Sequence, residues 1–197
     1  FFLAIAGAGN LDQIHSSLDG REWNDMNSGT TATDMNDIAA SATYAVACGG
    51  AGVVLRLVVS TGVWSTNTIA TATTAVKVAF GGSQASNRFF VLGKDSTPVS
   101  RVYYSTDGAT WTSVALPSAA NQNARYFASS TIASLIVVID DGATEKGWTS
   151  TDDGATFTAI SSFTLTGTVR GLCWNASERK FYILTSTNLY SSPDGTT

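Results

Sequence analysis

The chain has 197 residues, of which 44 % are hydrophobic and only 13 % are charged, and its net charge is −4. This hydrophobic content supports a packed core and excludes a disordered chain. No cluster of Lys or Arg is present, so binding to nucleic acid or to an anionic membrane has no electrostatic basis, and no apolar run approaches membrane-spanning length. Cys48 and Cys173 lie in separate apolar runs, which favours two buried free thiols over a disulfide.

Short apolar segments recur from one end of the chain to the other. One series of such segments comprises residues 1–7, 44–50, 89–93, 135–140 and 181–186. Four of these are preceded by a second strand-like segment, at residues 37–42, 76–82, 125–130 and 169–175. The segments are rich in Val, Ile, Phe and Tyr and are bounded by Gly, Asn, Asp and Ser, which is typical of β-strands. No longer segment has a helical period, so the sequence predicts an all-β fold.

A serine-centred motif repeats along the chain at nearly constant spacing. The clearest copy is YYSTDGATWTS at residues 103–113, and the serines of the five copies are Ser17, Ser60, Ser105, Ser150 and Ser192. The copy at Ser60 keeps a tryptophan but has no aspartate. Each repeat of about 44 residues holds about four short strands, which is the size of one β-propeller blade. We therefore expect a single propeller domain over residues 1–197 with about five four-stranded blades.

The phase of the repeat places the first residues in the second strand of one blade and the last residues in the third strand of the fifth. Two arrangements fit this phase: a five-bladed ring with imperfectly matched ends, or a segment of a larger propeller. The chain begins FFLAIAGAG, with no Met and no basic segment, which is unlike a signal peptide and favours the segment.

Every residue of the motif has a predicted folding role. In the copy at residues 103–113, Asp107 can accept hydrogen bonds from the backbone of its own turn, and Gly108 can supply the positive φ of a tight turn. Trp111 begins the returning strand, where it can fill the corner between neighbouring sheets. Because the motif is copied in every blade, we predict a structural role and no catalytic residues in it.

The pattern Ser-x-Asp-(x)-Gly-x-Thr-Trp/Phe resembles the Asp-box, or bacterial neuraminidase repeat. The matching residues are Ser17, Asp19, Gly20 and Trp23; Ser105, Asp107, Gly108 and Trp111; Ser150, Asp152, Gly154 and Phe157; and Ser192, Asp194 and Gly195. The resemblance implies a β-propeller with each box between the third and fourth strands of a blade. It implies little about activity, because such repeats occur in sialidases, photosystem assembly factors, sortilin-like receptors and phage surface proteins.

A sialidase of this family would need an arginine cluster, a Tyr–Glu pair and an aspartic acid. The chain has seven arginines but no Arg-Ile-Pro-type motif: Arg21, Arg56, Arg88, Arg101, Arg125, Arg170 and Arg179. Its three glutamates, Glu22, Glu145 and Glu178, lie in polar, turn-like contexts. Glycoside hydrolysis also requires two convergent carboxylates, and most acidic residues here belong to the repeated turns. These observations disfavour an enzyme.

The remaining candidate ligand residues are aromatic or acidic. Six aromatic residues outside the boxes could stack on sugar rings, and among them we single out Tyr104 and Trp148; the others are Tyr126, Phe127, Trp174 and Tyr190. Asp140, Asp141 and Glu145 gather in a Gly-containing loop that could hold Ca²⁺, although a solvated hairpin tip is favoured. The single histidine, His15, takes an aromatic position of the repeat, so no zinc site and no other cofactor is expected.

The first functional hypothesis is a non-catalytic recognition or scaffold module, outside the cytoplasm or on a virion surface. Its partner would be a glycan or a protein, bound by loops on one rim, and the surface rich in Ser, Thr, Ala and Gly resembles phage tail proteins and bacterial adhesins. The two alternatives are a sialidase-like glycoside hydrolase fragment and a purely structural component of a larger homo-oligomeric or viral assembly.

Overall fold

The computed structural model describes residues 2–5, 14–26, 34–70, 72–83, 86–97, 99–117, 124–130, 136–140, 146–160 and 164–195. Within these ranges the chain forms strands, turns and bends and contains no helix, so it has no helix that could cross a membrane. The all-β prediction is confirmed.

Five antiparallel sheets follow one another along the chain, and we call them blades 1 to 5. Blade 1 contains β1 (Phe2–Ile5), β2 (Ile14–Ser17) and β3 (Asn24–Asp25). Blade 2 contains β4 (Met35–Ala40), β5 (Tyr44–Gly49), β6 (Val53–Val58) and β7 (Val63–Thr68). Blade 3 contains β8 (Ala72–Gly81), β9 (Arg88–Asp95), β10 (Ser100–Ser105) and β11 (Thr112–Ala115). Blade 4 contains β12 (Ala124–Ser129), β13 (Ile136–Asp140), β14 (Gly147–Ser150) and β15 (Thr158–Ala159). Blade 5 contains β16 (Val169–Asn175), β17 (Lys180–Thr185) and β18 (Leu189–Ser192).

Each blade is a simple meander in which neighbouring strands are joined by short connections. The first strands of blades 2 to 5, namely β4, β8, β12 and β16, contact one another in sequence and therefore form the inner edge of the array. Each of these four strands has a β-bulge against its second strand. Because a bulge increases the local twist of a strand, its repetition at the inner edge suits blades that fan out from a common axis.

Hydrophobic cores lie between successive blades. Phe89 and Val91 of β9 face blade 2, where they pack with Val46 and Cys48. Phe90 of β9 faces blade 4 and, with Leu92, packs against Phe127 and Trp148. Residues on both faces of β9 are buried, which is why its sequence is a continuous apolar run. Burial of each large side chain stabilises the fold by about 1.5–3 kcal/mol.

The cores at the two ends of the array follow the same plan. Ile14 of blade 1 packs with Val53 and Leu55 of blade 2, and Ala128 of blade 4 packs with Phe181 and Ile183 of blade 5. Four inter-blade cores thus join five blades. Cys48 is buried as predicted, whereas Cys173 is exposed, because its side of β16 faces away from blade 4; both thiols are free.

Candidate functional site

Four turns with the Ser-x-Asp sequence, which we call the Ser-Asp turns, make the same hydrogen bonds. They begin at Ser17, Ser105, Ser150 and Ser192, which are the last residues of β2, β10, β14 and β18. In the phase of the repeat, each of these strands is the third strand of its blade. In each turn the serine hydroxyl donates to the carboxylate two residues later, at 2.7–3.2 Å. The same hydroxyl oxygen accepts from the backbone N–H of the turn glycine, at 2.7–2.9 Å.

In three of these turns the carboxylate also accepts hydrogen bonds from the backbone of its own turn, at Asp19, Asp107 and Asp152. Asp107 Oδ1 accepts from the backbone N–H groups of Ala109 at 2.8 Å and Thr110 at 3.0 Å, in addition to the hydroxyl of Ser105. The N–H of Thr110 is the largest cause of a pKa that lies below the ordinary value of an aspartate. A nucleophilic serine needs a base that accepts its proton, and Asp107 is a weakened base. The chemistry of the turn is therefore that of a cap on a strand end.

Strand register identifies the equivalent position in blade 2. In the Ser-Asp turns the serine lies opposite an aromatic residue at the start of the returning strand. Ser17 and Trp23 are an example, since they directly follow the last residue pair between β2 and β3. In blade 2 the residue that pairs with Trp64 is Leu57, and Ser60 lies within the connecting turn. The predicted equivalence of Ser60 with the other serines is therefore wrong; this turn lacks both the serine and the aspartate, and Leu57 is buried instead.

Two of the Ser-Asp turns dock on the preceding blade. The guanidinium Nε of Arg56 in blade 2 donates to the backbone carbonyl of Asp107 in blade 3 at 2.5 Å. In the longer turn of blade 4, the additional residue Asp153 accepts from the backbone N–H of Ser83 at 2.7 Å and from the hydroxyls of Ser83 and Ser86 in blade 3. These contacts make the turns inter-blade connectors. Neither partner follows from the motif, because Arg56 and Ser83 lie about 50 and 70 residues away in sequence.

The turn aromatics differ in their surroundings. Trp111 packs against the core between blades 2 and 3, and Phe157 is buried between blades 3 and 4, so both occupy the corner that the sequence predicts for them. Trp23 belongs to blade 1, and its side chain is 43 % exposed.

The predicted stacking role is wrong for Trp148, which is buried, whereas Tyr104 is partly exposed and its role stays a prediction. Trp148 is only 1 % exposed within the core between blades 3 and 4, and its indole N–H donates to the carbonyl of Pro117 at 3.2 Å. Tyr104 packs partly against the same core, and the guanidinium of Arg88 covers its ring at 4.8 Å.

A cavity of about 250 Å³ lies among the first strands of the blades. Its polar lining comes from Asp37 on β4, Lys77 on β8, Tyr126 on β12 and Arg170 on β16, and its other lining residues are Phe127, Gly171 and Leu172. Because these four strands form the inner edge of the array, the cavity lies along the axis. We call it the axial cavity.

The polar side chains of the axial cavity differ in the hydrogen bonds and ion pairs that they form. Asp37 Oδ2 accepts from the backbone N–H of Val78 at 3.0 Å and lies 3.8 Å from the ammonium of Lys77. The hydroxyl of Tyr126 donates to the carbonyl of Val169 at 2.7 Å. Arg170 is exposed and forms no ion pair or hydrogen bond with the described part of the chain. The cavity thus holds two cationic side chains and one carboxylate, which favours an anionic group. Tyr126 and Arg170 were visible in the sequence only as one aromatic and one arginine among several.

The remaining candidates fall into two groups. His15 Nδ1 lies 2.6 Å from a carboxylate oxygen of Asp25 on the neighbouring strand, so this histidine is an ordinary cross-strand partner. The proposed calcium ligands lie outside the described residues, because Asp141 and Glu145 fall in the 141–145 gap and only the backbone of Asp140 is described. In the described ranges no three His, Cys, Asp or Glu side chains cluster closely enough to hold a metal ion.

No protein-family model and no curated protein matches the chain. Solved structures do match. The chain covers 52 % of YCF48 from Cyanidioschyzon merolae with 80 % of its own length, at 14 % identity and a TM-score of 0.55. It covers 62 % of the β-propeller domain of Cps50 (Swd1) from Myceliophteria thermophila with 91 % of its length, at 9 % identity and a TM-score of 0.62. It covers 50 % of TolB from Acinetobacter baumannii with 98 % of its length, at 10 % identity and a TM-score of 0.60.

These structures are β-propellers, and together with the five successive antiparallel sheets they show that the chain has a β-propeller fold. The chain spans between half and two thirds of the length of each of the three. At identities of 9–14 % the likeness concerns the fold alone.

Proposed function

We propose that this protein is a non-catalytic recognition module, in which Asp-box blades form a rigid scaffold and the mouth of the axial cavity binds an acidic group on a glycan or a protein. In this proposal the four Ser-Asp turns are Asp-boxes in the full sense of the family and serve stability. The recognition surface lies on the inner strands, where the blades differ from one another.

The observation that carries the proposal is that the carboxylates already have hydrogen-bond partners within the protein. Glycoside hydrolysis needs two carboxyl groups on either side of the scissile bond. Within the described residues the axial cavity holds only Asp37, whose oxygen is already engaged by Val78 and Lys77. Three of the turn aspartates, Asp19, Asp107 and Asp152, accept hydrogen bonds from the backbone of their own turns. The lining of the axial cavity therefore offers a single carboxylate where hydrolysis needs two, which supports binding without turnover.

The size and charge of the cavity define the ligand class. A volume of about 250 Å³ lies below the usual range of pockets for whole small ligands, about 300–1,000 Å³. It suits one sugar unit or one side chain, with the rest of the partner lying across the rim. The planar guanidinium of Arg170 can bind a carboxylate with two parallel hydrogen bonds, and Lys77 adds a second positive charge. We therefore favour an acidic glycan or an acidic protein loop, encountered outside the cytoplasm or on a virion surface.

The proposal is tested by measuring binding and turnover on the same panel of ligands. Purified protein is applied to an array of acidic and neutral glycans, and sialosides are incubated with it to detect released sugar. We expect binding to acidic ligands, no release, and a loss of affinity of about tenfold or more in Arg170→Ala, since charge-assisted hydrogen bonds are among the strong ones. Arg170→Lys should recover only part of the affinity, because lysine cannot bind a carboxylate with two parallel hydrogen bonds.

Two control variants make the result specific. Arg21→Ala removes an exposed positive charge from blade 1, far along the chain from the cavity, and should leave binding unchanged. Asp107→Ala removes the acceptor of a turn, so it should lower the melting temperature and leave binding unchanged. Release of sugar that Arg170→Ala abolishes would establish a hydrolase and overturn the proposal, as would Asp107→Ala that keeps full stability but loses binding.

A further inference from the structure

Blade 2 has a longer outermost strand than blades 1, 3 and 4. This strand, β7, has six residues and pairs with β6 without a register shift. The outermost strands of the other three blades have two residues in β3, four in β11 and two in β15. The outermost strand of a blade points away from the propeller axis, so neighbouring blades of a ring do not cover its free edge.

The features that usually protect an edge strand are missing from β7. Proteins keep such strands from pairing with other chains by short length, charged residues, proline or bulges. The short strand β3 carries Asp25, and β11 ends two residues before Pro117. In contrast, residues 57–76 contain no charged residue and no proline, and four of the six residues of β7 are exposed. A long, regular and neutral edge of this kind favours pairing with a further strand.

The hydrogen bonds between β6 and β7 determine which backbone groups face outward. The N–H of Ile69, directly after β7, donates to the carbonyl of Gly52 at 2.9 Å and continues the register of the pair. Because backbone groups alternate along a strand, Trp64, Thr66 and Thr68 direct their N–H and C=O groups away from β6. Since β7 is the last strand of its sheet, these groups form the free edge of blade 2, which we call the β7 edge.

We propose that two copies of this chain pair through their β7 edges in antiparallel orientation, with Thr66 of one copy opposite Thr66 of the other. This register has two-fold symmetry, so each edge supplies the donors and acceptors that the other edge lacks. Trp64 of each copy then lies opposite Thr68 of the other, and the outward-facing residues exchange about six main-chain hydrogen bonds. Each edge is used once, so the contact closes after two copies.

The neutrality of the β7 edge favours a second copy as its partner. In the two-fold register identical residues meet at the centre, where two like charges would repel each other. Thr66 is uncharged and exposed, and threonine pairs across neighbouring strands are favourable. The charged residues nearest to β7 along the chain are Arg56 and Lys77, and both lie outside it. A partner of different sequence is usually selected by complementary charges, which this edge does not offer.

The test is the mass of the protein in solution, measured by sedimentation equilibrium up to the solubility limit. The parent chain should show a reversible equilibrium between monomer and dimer. Thr66→Pro removes an N–H that the blade itself does not use, and it should weaken association by about tenfold or more. Proline is tolerated on an edge strand where the N–H faces solvent, so the blade should stay folded. Thr66→Val is the matched control, since it keeps the N–H and should associate like the parent.

A second pair of variants tests the register without proline. Thr66→Lys and Thr66→Glu each place like charges opposite each other, and each alone should weaken association by about fivefold or more. A 1:1 mixture places opposite charges at the centre and should form a mixed dimer more tightly than either variant alone. Thr112→Lys, at an exposed position on β11 of blade 3, should associate like the parent. Because Thr66 and Thr112 are exposed, the melting temperature of the three charged variants should match that of the parent in dilute protein.

Four results would overturn the proposal. The first is a parent chain that stays monomeric at all concentrations. The second is growth beyond a dimer, which indicates aggregation through other surfaces. The third is equal weakening by Thr66→Val and Thr66→Pro, which indicates a side-chain contact and not a backbone one. The fourth is a mixture of the Lys and Glu variants that associates no more tightly than either alone. None of these readouts involves a ligand of the axial cavity, so this inference and the proposed function fail independently.

Discussion

Alanine substitution at turn glycines should separate backbone strain from packing against the preceding blade. Gly108 has a φ of +73° and Gly62 has a φ of +68°. An alanine in this left-handed region costs about 1–2 kcal/mol in either turn. Only Gly108 has a close neighbour, because its added methyl group would lie 2.7 Å from Cγ2 of Val46, while nothing lies within 4 Å of the one added at Gly62.

The contact at Gly108 sets the size of the difference. Carbon atoms pack best at about 3.5–4.0 Å, so a separation of 2.7 Å requires movement. Val46 is fully buried and β-branched, and therefore has little freedom to change its rotamer. Overpacking of this kind costs about 1–3 kcal/mol. The free energy of unfolding should thus fall by about 2–5 kcal/mol in Gly108→Ala and by about 1–2 kcal/mol in Gly62→Ala.

Thermal unfolding followed by circular dichroism measures the difference. For a chain of this length 1 kcal/mol corresponds to about 2–4 °C, so the melting temperature of Gly108→Ala should lie at least about 2 °C below that of Gly62→Ala. Gly20→Ala, with a φ of +78° and an open surround, should resemble Gly62→Ala in dilute protein. Equal melting temperatures for Gly108→Ala and Gly62→Ala would show that the turn of blade 3 does not dock on blade 2 and would refute the reasoning.

Two further predictions concern buried carboxylates. Asp153→Ala removes three hydrogen bonds to blade 3 and should lower the free energy of unfolding, measured by urea denaturation, by about 2–3 kcal/mol. Asparagine tolerates the positive φ of this residue, so Asp153→Asn should recover part of the loss. Equal losses in the two variants would point to backbone strain instead. Hydrogen bonds from Arg101 and from the hydroxyl of Thr97 hold the pKa of Asp95 well below its ordinary value of 3.8. A carboxyl group whose pKa is lowered by folding stabilises the native state above its unfolded pKa, so this contribution should be complete above about pH 5 and decline as the pH falls below 4. Asp95→Asn should therefore flatten the dependence of the urea midpoint on pH between 4 and 2, and an unchanged slope would show that Asp95 does not contribute.

The repeat was the part of the fold most accessible from the sequence. The spacing of the Ser-x-Asp copies and the apolar segments between them predict the number of blades, the meander within each blade, and the location of the turns between third and fourth strands. These features are local, since a turn such as Ser105–Asp107–Gly108 is specified by residues within hydrogen-bonding reach of one another along the chain.

Blade 2 shows where pattern matching stops being sufficient. Aligning letters selects Ser60, whereas the pairing of Leu57 with Trp64 places a leucine at the equivalent position. Leu57 lies three residues before Ser60, and only the hydrogen-bonded register reveals this shift. The tryptophan of this copy, Trp64, lies near the start of the returning strand under either alignment.

Ligand contacts were less predictable than the fold, because they depend on which blade face covers which side chain. Tyr104 and Trp148 are aromatic residues of the kind found on sugar-binding surfaces. In the structure Trp148 lies in the core between blades 3 and 4, and the guanidinium of Arg88 lies over the ring of Tyr104. The axial cavity combines Asp37 with Arg170, residues more than 130 positions apart. No local pattern marks such a set, since it arises only when the first strands of four blades meet.

The sequence by itself determined the architecture of this protein: an all-β chain of repeated blades, with turns capped by aspartate. Those outcomes follow from short-range physics, namely strand alternation, turn hydrogen bonds and the positive φ of glycine. The tertiary structure alone decided which turns dock on a neighbouring blade and which polar groups share the axial cavity. Each of these depends on contacts between blades, where residues such as Arg56 and Asp107 meet across 51 positions of the chain.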